Sequence, residues 1–297
     1  MDVAIRAEGL TRRFGKVLAV NGVDLAVRAG TITAFLGPNG AGKTTTISLL
    51  LGLVKAQSGT CEVLGHPPGH PQALAQLGAM VESPSLYDHL TGLENVEITR
   101  LMRNAPRSES DRVLAMVGLL RDARRPVRTY SLGMRQRLGL ALALMGEPRL
   151  LILDEPTNGL DPAGIQEIRE LIRSLPRDFG ATVFLSSHIL AEIEQVASEV
   201  VVIHRGRLRY QGPMEELGIP GPAQLHLRVD QPQRVAQLLL AKGFPSRQED
   251  EELWVEASRE DAPRVVSHLV AEGRSLYEMA PVKANLEARF MALLEGE

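Results

Sequence analysis

The chain of 297 residues has one cysteine, Cys61. A lone thiol forms no internal disulfide and supplies no thiolate metal cluster, which points to a reducing compartment, the cytoplasm. Long apolar runs are missing too. The longest, in and around LGLALALMG (138–146), falls short of the roughly 20 residues that cross a bilayer. The opening residues carry no charged, apolar, small-residue series, so neither a transmembrane helix nor a signal peptide is expected. There is no excess of one charge. A net charge of −3 gives no bulk drive toward nucleic acid, and no nucleic-acid partner is expected. Internal repeats and low-complexity tracts are absent. With 44% hydrophobic and 23% charged residues, the composition is that of a soluble globular protein with material for one large domain and a small one.

Short apolar runs, TITAFLG (31–37), LLILD (150–154), TVFLSS (182–187) and EVVVI (199–203), alternate with amphipathic stretches. That is the pattern of a largely parallel, buried α/β sheet. Between the first run and the rest lies a helix-rich insertion. TGLENVEITRLM (91–102) opens with a T-x-x-E capping box, and SESDRVLAMVGLL (108–120) has helical apolar spacing. The Gly- and Pro-rich LGIPGPAQ (217–224) predicts a boundary near residue 219. Beyond it the order reads β-α-β-α-β, the size of a small ferredoxin-like or split α/β module, with nine Lys and Arg against thirteen Asp and Glu. A packing or dimerisation appendage is the plainest role for this acidic piece, 220–297.

GPNGAGKT (37–44) follows an apolar strand and precedes the helical TTTISLLLGL, so it satisfies G-x-x-x-x-G-K-[ST] in the required strand, loop and helix setting. Gly37, Gly40 and Gly42 let the backbone fold around an anion with its N–H groups inward, at the positive end of a helix. Pro38, Asn39, Ala41 and Thr45 complete the phosphate-binding stretch. Lys43 supplies a point charge for the β and γ phosphates, and Thr44 offers a hydroxyl to Mg²⁺, which prefers hard oxygen ligands. Downstream, RLLILDEP (149–156) is an apolar strand ending in two acids. Asp154 is suited to the Mg²⁺ shell, and Glu155 to polarising a water for in-line attack on the γ phosphate.

YSLGMRQRLGLALALMGEPRLLILDEPTNGLDPAG (130–164) resembles the signature, Walker B and D-loop series of the ATP-binding cassette (ABC) transporter ATPase subunits. The resemblance covers residues 1 to about 219. It implies a P-loop NTPase core with a mostly parallel sheet, an antiparallel N-terminal β part and a helical subdomain at about 85–148. It also implies ATP and Mg²⁺ as cofactors and ATP hydrolysis as the reaction. Phe14 in TRRFGK resembles the aromatic that stacks on adenine, although a lone Phe is more often core, and His188 in SSH resembles the switch histidine at the γ phosphate. Two copies would close head to tail on two nucleotides. Ser131 and Gly133, at the start of a helix, would then meet the opposing γ phosphate, with Asp161 at the interface.

The signature departs from the common LSGGQ: Tyr130, Leu132 and Met134 stand where Leu, Gly and Gln are usual. Altered packing against the sugar and adenine is the expectation. Glu82, in MVESPSLY (80–87), stands where the family usually carries a glutamine that approaches the metal and the attacking water; its oxygen has the reach and hardness for Mg²⁺ but adds a charge. The loop from Glu82 to Leu90, with Leu86 and Tyr87, would contact a separate transmembrane permease, putting the chain on the cytoplasmic face of the membrane. YSLGMRQR, VESPSLYDHLTG and LDEPTNGLDP together resemble the bacterial multidrug, bacitracin or lantibiotic-resistance exporter branch. The leading expectation is an ATPase subunit powering efflux of a drug, antibiotic or peptide. A soluble ABC protein acting on ribosomes or DNA is the second, disfavoured by the single cassette and acidic tail; a non-hydrolysing ATP-gated clamp is the third, disfavoured by intact Lys43, Asp154, Glu155 and His188.

Overall fold

The computed structural model describes residues 2–82, 84–217, 224–249, 252–281 and 286–295. The chain divides into two compact units, Met1–Met214 with Leu293–Glu297, and Glu215–Ala292. The boundary expected near residue 219 falls in 218–223, outside the described residues.

In the first unit the strands run β1 (Val3–Phe14), β2 (Val17–Arg28), β3 (Ile32–Leu36), β4 (Ser58–Val63), β5 (Leu77–Met80), β6 (Leu150–Leu153), β7 (Thr182–Ser187), β8 (Glu199–His204) and β9 (Arg207–Pro213). β2-β1-β4 form an antiparallel sheet, and β5-β6-β7-β3-β8-β9 a second sheet, parallel except for β9. The parallel strands β3, β6 and β7 are buried at every position, which is why they read as unbroken apolar runs. One core, with Ile5, Leu10, Val20, Phe35, Leu50, Ile152, Phe184 and Val201, is shared by both sheets. β5 is a strand the apolar runs did not suggest. LGAM is short, lacks β-branched residues, and is held by its partner β6.

The insertion is helical as expected. The helix Gly92–Met102 has both bonds of the Thr91/Glu94 capping box, and it packs with Ser108–Met116 and Leu132–Leu144. The middle helix stops at Met116 rather than at residue 120. Gly118, at φ 70°, takes the chain out of the helical path.

The second unit corrects the expected β-α-β-α-β order. Its elements are β10 (Gln224–Val229), a helix Pro232–Ala241, β11 (Ser246–Glu249), β12 (Glu252–Glu256), a helix Ala262–Ala271 and β13 (Leu276–Pro281), then a last helix Leu286–Glu295. The sheet is wholly antiparallel in the order β11-β12-β10-β13, the split β-α-β-β-α-β arrangement. β11 reads SRQE, with no apolar signal, because it is an edge strand. Leu225, Leu227, Val235, Leu239, Leu253, Val255, Val265 and Leu269 fill this unit's own core.

Candidate functional site

The parallel strands deliver their C-terminal ends to one edge of the sheet, the usual place for a ligand in an open α/β fold. β3 ends at Leu36, residues 37–42 wrap, and the helix Lys43–Leu50 begins at once. Two glycines are required sterically. Gly42, at φ 108°, caps the helix, and a Cβ there would strike the Ala19 carbonyl oxygen; a Cβ at Gly37 would strike that of Ile203. The loop is thus pressed between β2 and the end of β8. Lys43 is only 7% exposed, and its Nζ donates to the carbonyl oxygens of Gly37 (2.8 Å) and Pro38 (3.3 Å).

β6 carries the two acids past its end. Thr44 Oγ1 donates to Asp154 Oδ2 at 2.8 Å, and Ser186 Oγ donates to Asp154 Oδ1 at 2.5 Å. Glu155 leaves the strand in the left-handed region, at φ 49°, which turns its side chain back toward the phosphate loop. Both of its carboxylate oxygens are engaged: Oε1 pairs with Lys43 Nζ at 3.2 Å, and Oε2 lies 2.8 Å from His188 Nδ1. Lys43, Glu155 and His188 therefore converge although they lie on three different strand ends.

These groups border a cleft of about 600 Å³, of a size for a small-molecule ligand. Asn39, Gly40, Gly42, Lys43, Thr44 and Thr45 form its floor, Val17, Leu18 and Ala19 an apolar wall, and Glu155, Asn158, His188, Arg205 and Gly206 the remainder. A glycine loop opening a helix, a buried ammonium, a hydroxyl beside a carboxylate and an apolar wall are the chemistry of a nucleoside triphosphate site.

Residues 20–158 match the family described as ABC transporter. The chain is 35% identical over 99% of its length to the ABC transporter ATP-binding protein YhcH of Bacillus subtilis, covering 96% of that protein. It belongs to the ATP-binding subunits of ABC transporters. To the bacitracin transport ATP-binding protein BcrA of Bacillus licheniformis this chain is 40% identical over 92% of its length and 88% of that protein's. The lantibiotic transport ATP-binding protein SrtF of Streptococcus pyogenes is 41% identical over 69% of this chain, with 88% of that protein covered. Among solved structures, an ATP-binding subunit of an ABC transporter superposes on 72% of this chain and 91% of its own, at a TM-score of 0.66 and 29% identity.

Other family positions lie apart from the cleft in a single cassette. Ser131 caps the helix Leu132–Leu144, its Oγ accepting from Met134 N at 3.2 Å, and is exposed. Asp161 likewise caps Pro162–Phe179 through Gly164 N at 2.8 Å. Neither they nor Gly133 lines the cleft with Lys43. Phe14 does not line it either; the ring is 45% exposed, with the Arg12 guanidinium 4.7 Å from its centre. Glu82 is exposed at φ 54° and lies outside the cleft, two residues past Met80, whose carbonyl oxygen accepts from Asp154 N at 2.8 Å. Tyr87 is 53% exposed, its backbone clamped by the Asn95 amide at 2.9 and 3.1 Å.

Two of the changed signature residues have distinct settings in the single chain. Tyr130 is buried inside the helical insertion and donates to the Asp122 carbonyl oxygen at 2.8 Å. Burial, and then the nearby Asp122 charge, push its phenol pKa up, so it remains a donor. Leu132 is 59% exposed.

Besides the cleft residues Val17, Leu18, Ala19, Asn158, Arg205 and Gly206, two residues behind the acid pair escaped the sequence reading. Gln136, buried in the signature helix, donates to the carbonyl oxygens of Glu155 (3.3 Å) and Pro156 (3.2 Å), tying the helical insertion to the acid pair. Ser186 holds Asp154 and also accepts from Glu155 N at 2.9 Å. Its place in SSH, two residues before His188, was the available signal.

Proposed function

We propose that the chain is the ATP-hydrolysing subunit of an exporter, working as a head-to-tail homodimer on the cytoplasmic face of the membrane through a separate permease. The observation that carries this reading is the convergence of Lys43 and His188 on the carboxylate of Glu155 at the mouth of the cleft. A nucleotide seated with its phosphates on residues 37–45 would bring the γ phosphate to Lys43 and His188. Glu155, released from Lys43, would take a proton from the attacking water as the bond between the γ phosphorus and the bridging oxygen breaks and ADP leaves.

The residues present fit Mg²⁺. Thr44 Oγ1 and Asp154 Oδ2 are hard oxygens 2.8 Å apart, and Mg²⁺ typically takes one or two protein oxygens and completes its octahedron with phosphate and water. Among the described residues no group of three His, Cys, Asp or Glu could hold a metal without such help. When bound, the ion would neutralise charge on the β and γ phosphates. We assign Glu82, two residues past the end of β5, to the same shell once nucleotide is bound.

No described helix is long and apolar enough to cross a membrane, so a transport path would need another chain. BcrA and SrtF, named for bacitracin and lantibiotic transport, support efflux of an antibiotic or peptide as the task. The exposed Tyr87, on a backbone braced by Asn95, suits the loop Glu82–Leu90 to permease contact. The test is reconstitution in vesicles with the membrane protein encoded beside it: ATP-driven peptide movement is expected, and none with Lys43→Ala. ATP hydrolysis by the chain without any membrane protein that binds it would leave the ATPase standing and remove the exporter.

A further inference from the structure

We propose that Ser186 is a positioning residue for ATP hydrolysis, its single hydroxyl fixing the Asp154 carboxylate and the Glu155 peptide together. The proposal rests on the ATPase reading above and adds a residue to it.

Ser186 is 0% exposed and Asp154 2% exposed, so the contact is made out of water. Asp154 Oδ1 accepts from Ser186 Oγ at 2.5 Å, while Oδ2 accepts from Thr44 Oγ1 at 2.8 Å. One oxygen is thereby held by the fold and the other turned to the phosphate side, which removes rotation of the carboxylate about its own axis. Glu155 N is the next donor along. The chain has just left β6 at φ 49°, and the peptide N–H finds its acceptor in the same Ser186 Oγ at 2.9 Å. A hydroxyl donates and accepts through one atom; alanine does neither, cysteine does both weakly, and threonine does both.

The pairing follows from sheet register. Leu153 of β6 lies opposite Leu185 of β7, so the next residues, Asp154 and Ser186, are neighbours, and two residues further His188 meets Glu155 Oε2. β7 thus grips the two acids of β6 at three points: Asp154 Oδ1, Glu155 N and Glu155 Oε2. Ser186 is buried and does not line the cleft, so it would act through Asp154 and Glu155 rather than on nucleotide or water itself.

The test compares wild type, Ser186→Ala, Ser186→Cys and Ser186→Thr in the full chain, by binding of a fluorescent ATP analogue with EDTA and with Mg²⁺, by ATPase rate and by thermal melting. Ser186→Ala is expected to lose about ten- to a hundredfold in turnover and most of the affinity that Mg²⁺ adds, the scale seen when groups orienting metal ligands are removed. Binding in EDTA, which rests on residues 37–45, should stay within about twofold of wild type. Ser186→Thr should recover turnover and Ser186→Cys should not; the cysteine variant decides if the alanine variant folds poorly. The proposal is overturned if Ser186→Ala or Ser186→Cys keeps wild-type turnover and wild-type Mg²⁺ dependence. It is equally overturned if metal-free binding, melting temperature and turnover fall together with turnover per folded molecule unchanged. A wild-type chain that binds nucleotide without hydrolysing it would sink the ATPase reading instead, and the Mg²⁺-dependent binding of the variants would still decide the role of Ser186.

Discussion

Lys43 Nζ and Glu155 Oε1 lie 3.2 Å apart, the ammonium 7% and the carboxylate 21% exposed, so the proposed phosphate-binding cation and the proposed base are paired with each other. An incoming γ phosphate must compete with the carboxylate for the lysine. On the proposed roles, binding and release of the base would be one event, since the anion that occupies Lys43 is the one that needs Glu155 free.

Glu155→Gln should therefore separate two effects. Hydrolysis should fall at least about a hundredfold, since an amide takes no proton from water. ATP affinity should hold or rise, because the neutral side chain competes less for Lys43. Steady-state ATPase and titration with a fluorescent ATP analogue check the pair; weaker binding in the variant would count against competition.

Glu82→Gln should keep at least about a tenth of the ATPase, a barrier change of up to about 1.4 kcal/mol, with a shifted Mg²⁺ requirement. The amide oxygen has the reach of the carboxylate, and the exposed side chain has no ion pair among the described residues to lose. A hundredfold loss would make the charge essential.

Tyr87→Asp should uncouple transport in vesicles while basal ATPase of the isolated chain stays largely intact. Asn95 holds the Tyr87 backbone, not its ring, so the exposed side chain can change without releasing the loop. Parallel loss of both activities would give Tyr87 a folding role.

Tyr130→Phe should lower stability by about 1 kcal/mol, a fall in Tm of about 2 to 4 °C for a unit of this size. The cause is loss of the bond to the Asp122 carbonyl oxygen. ATPase should persist, since the ring faces the helical insertion.

Acid should loosen that insertion through Glu109. Two bonds from Arg112, at 2.5 and 2.7 Å, and one from Gly146 N at 3.0 Å hold its carboxyl below the usual range. A carboxyl with a depressed folded-state pKa stabilises fully above its unfolded value. That contribution is lost as pH falls through the folded value. Glu109→Gln should lower stability near neutrality and flatten its decline in acid, read from melting curves across that range.

The sequence by itself determined what is local. A strand, a glycine loop and a helix N-terminus are contiguous, so residues 37–45 declare their anion site, and the Thr91/Glu94 capping box announces its helix because both partners lie within one turn. The apolar runs of β3, β6 and β7 were legible because burial on both faces leaves no room for polar residues. Strands without such runs were not: LGAM of β5 and SRQE of β11 are strands by virtue of their neighbours. Nor was the setting of Tyr130 legible, because its bond to the Asp122 carbonyl oxygen depends on how the helical insertion packs. Only the tertiary structure decided the site's wiring. Lys43 with Glu155, Thr44 with Asp154, and Ser186 with both acids are joined across strands far apart in the chain, and their meeting depends on strand order and register, which no local spacing encodes.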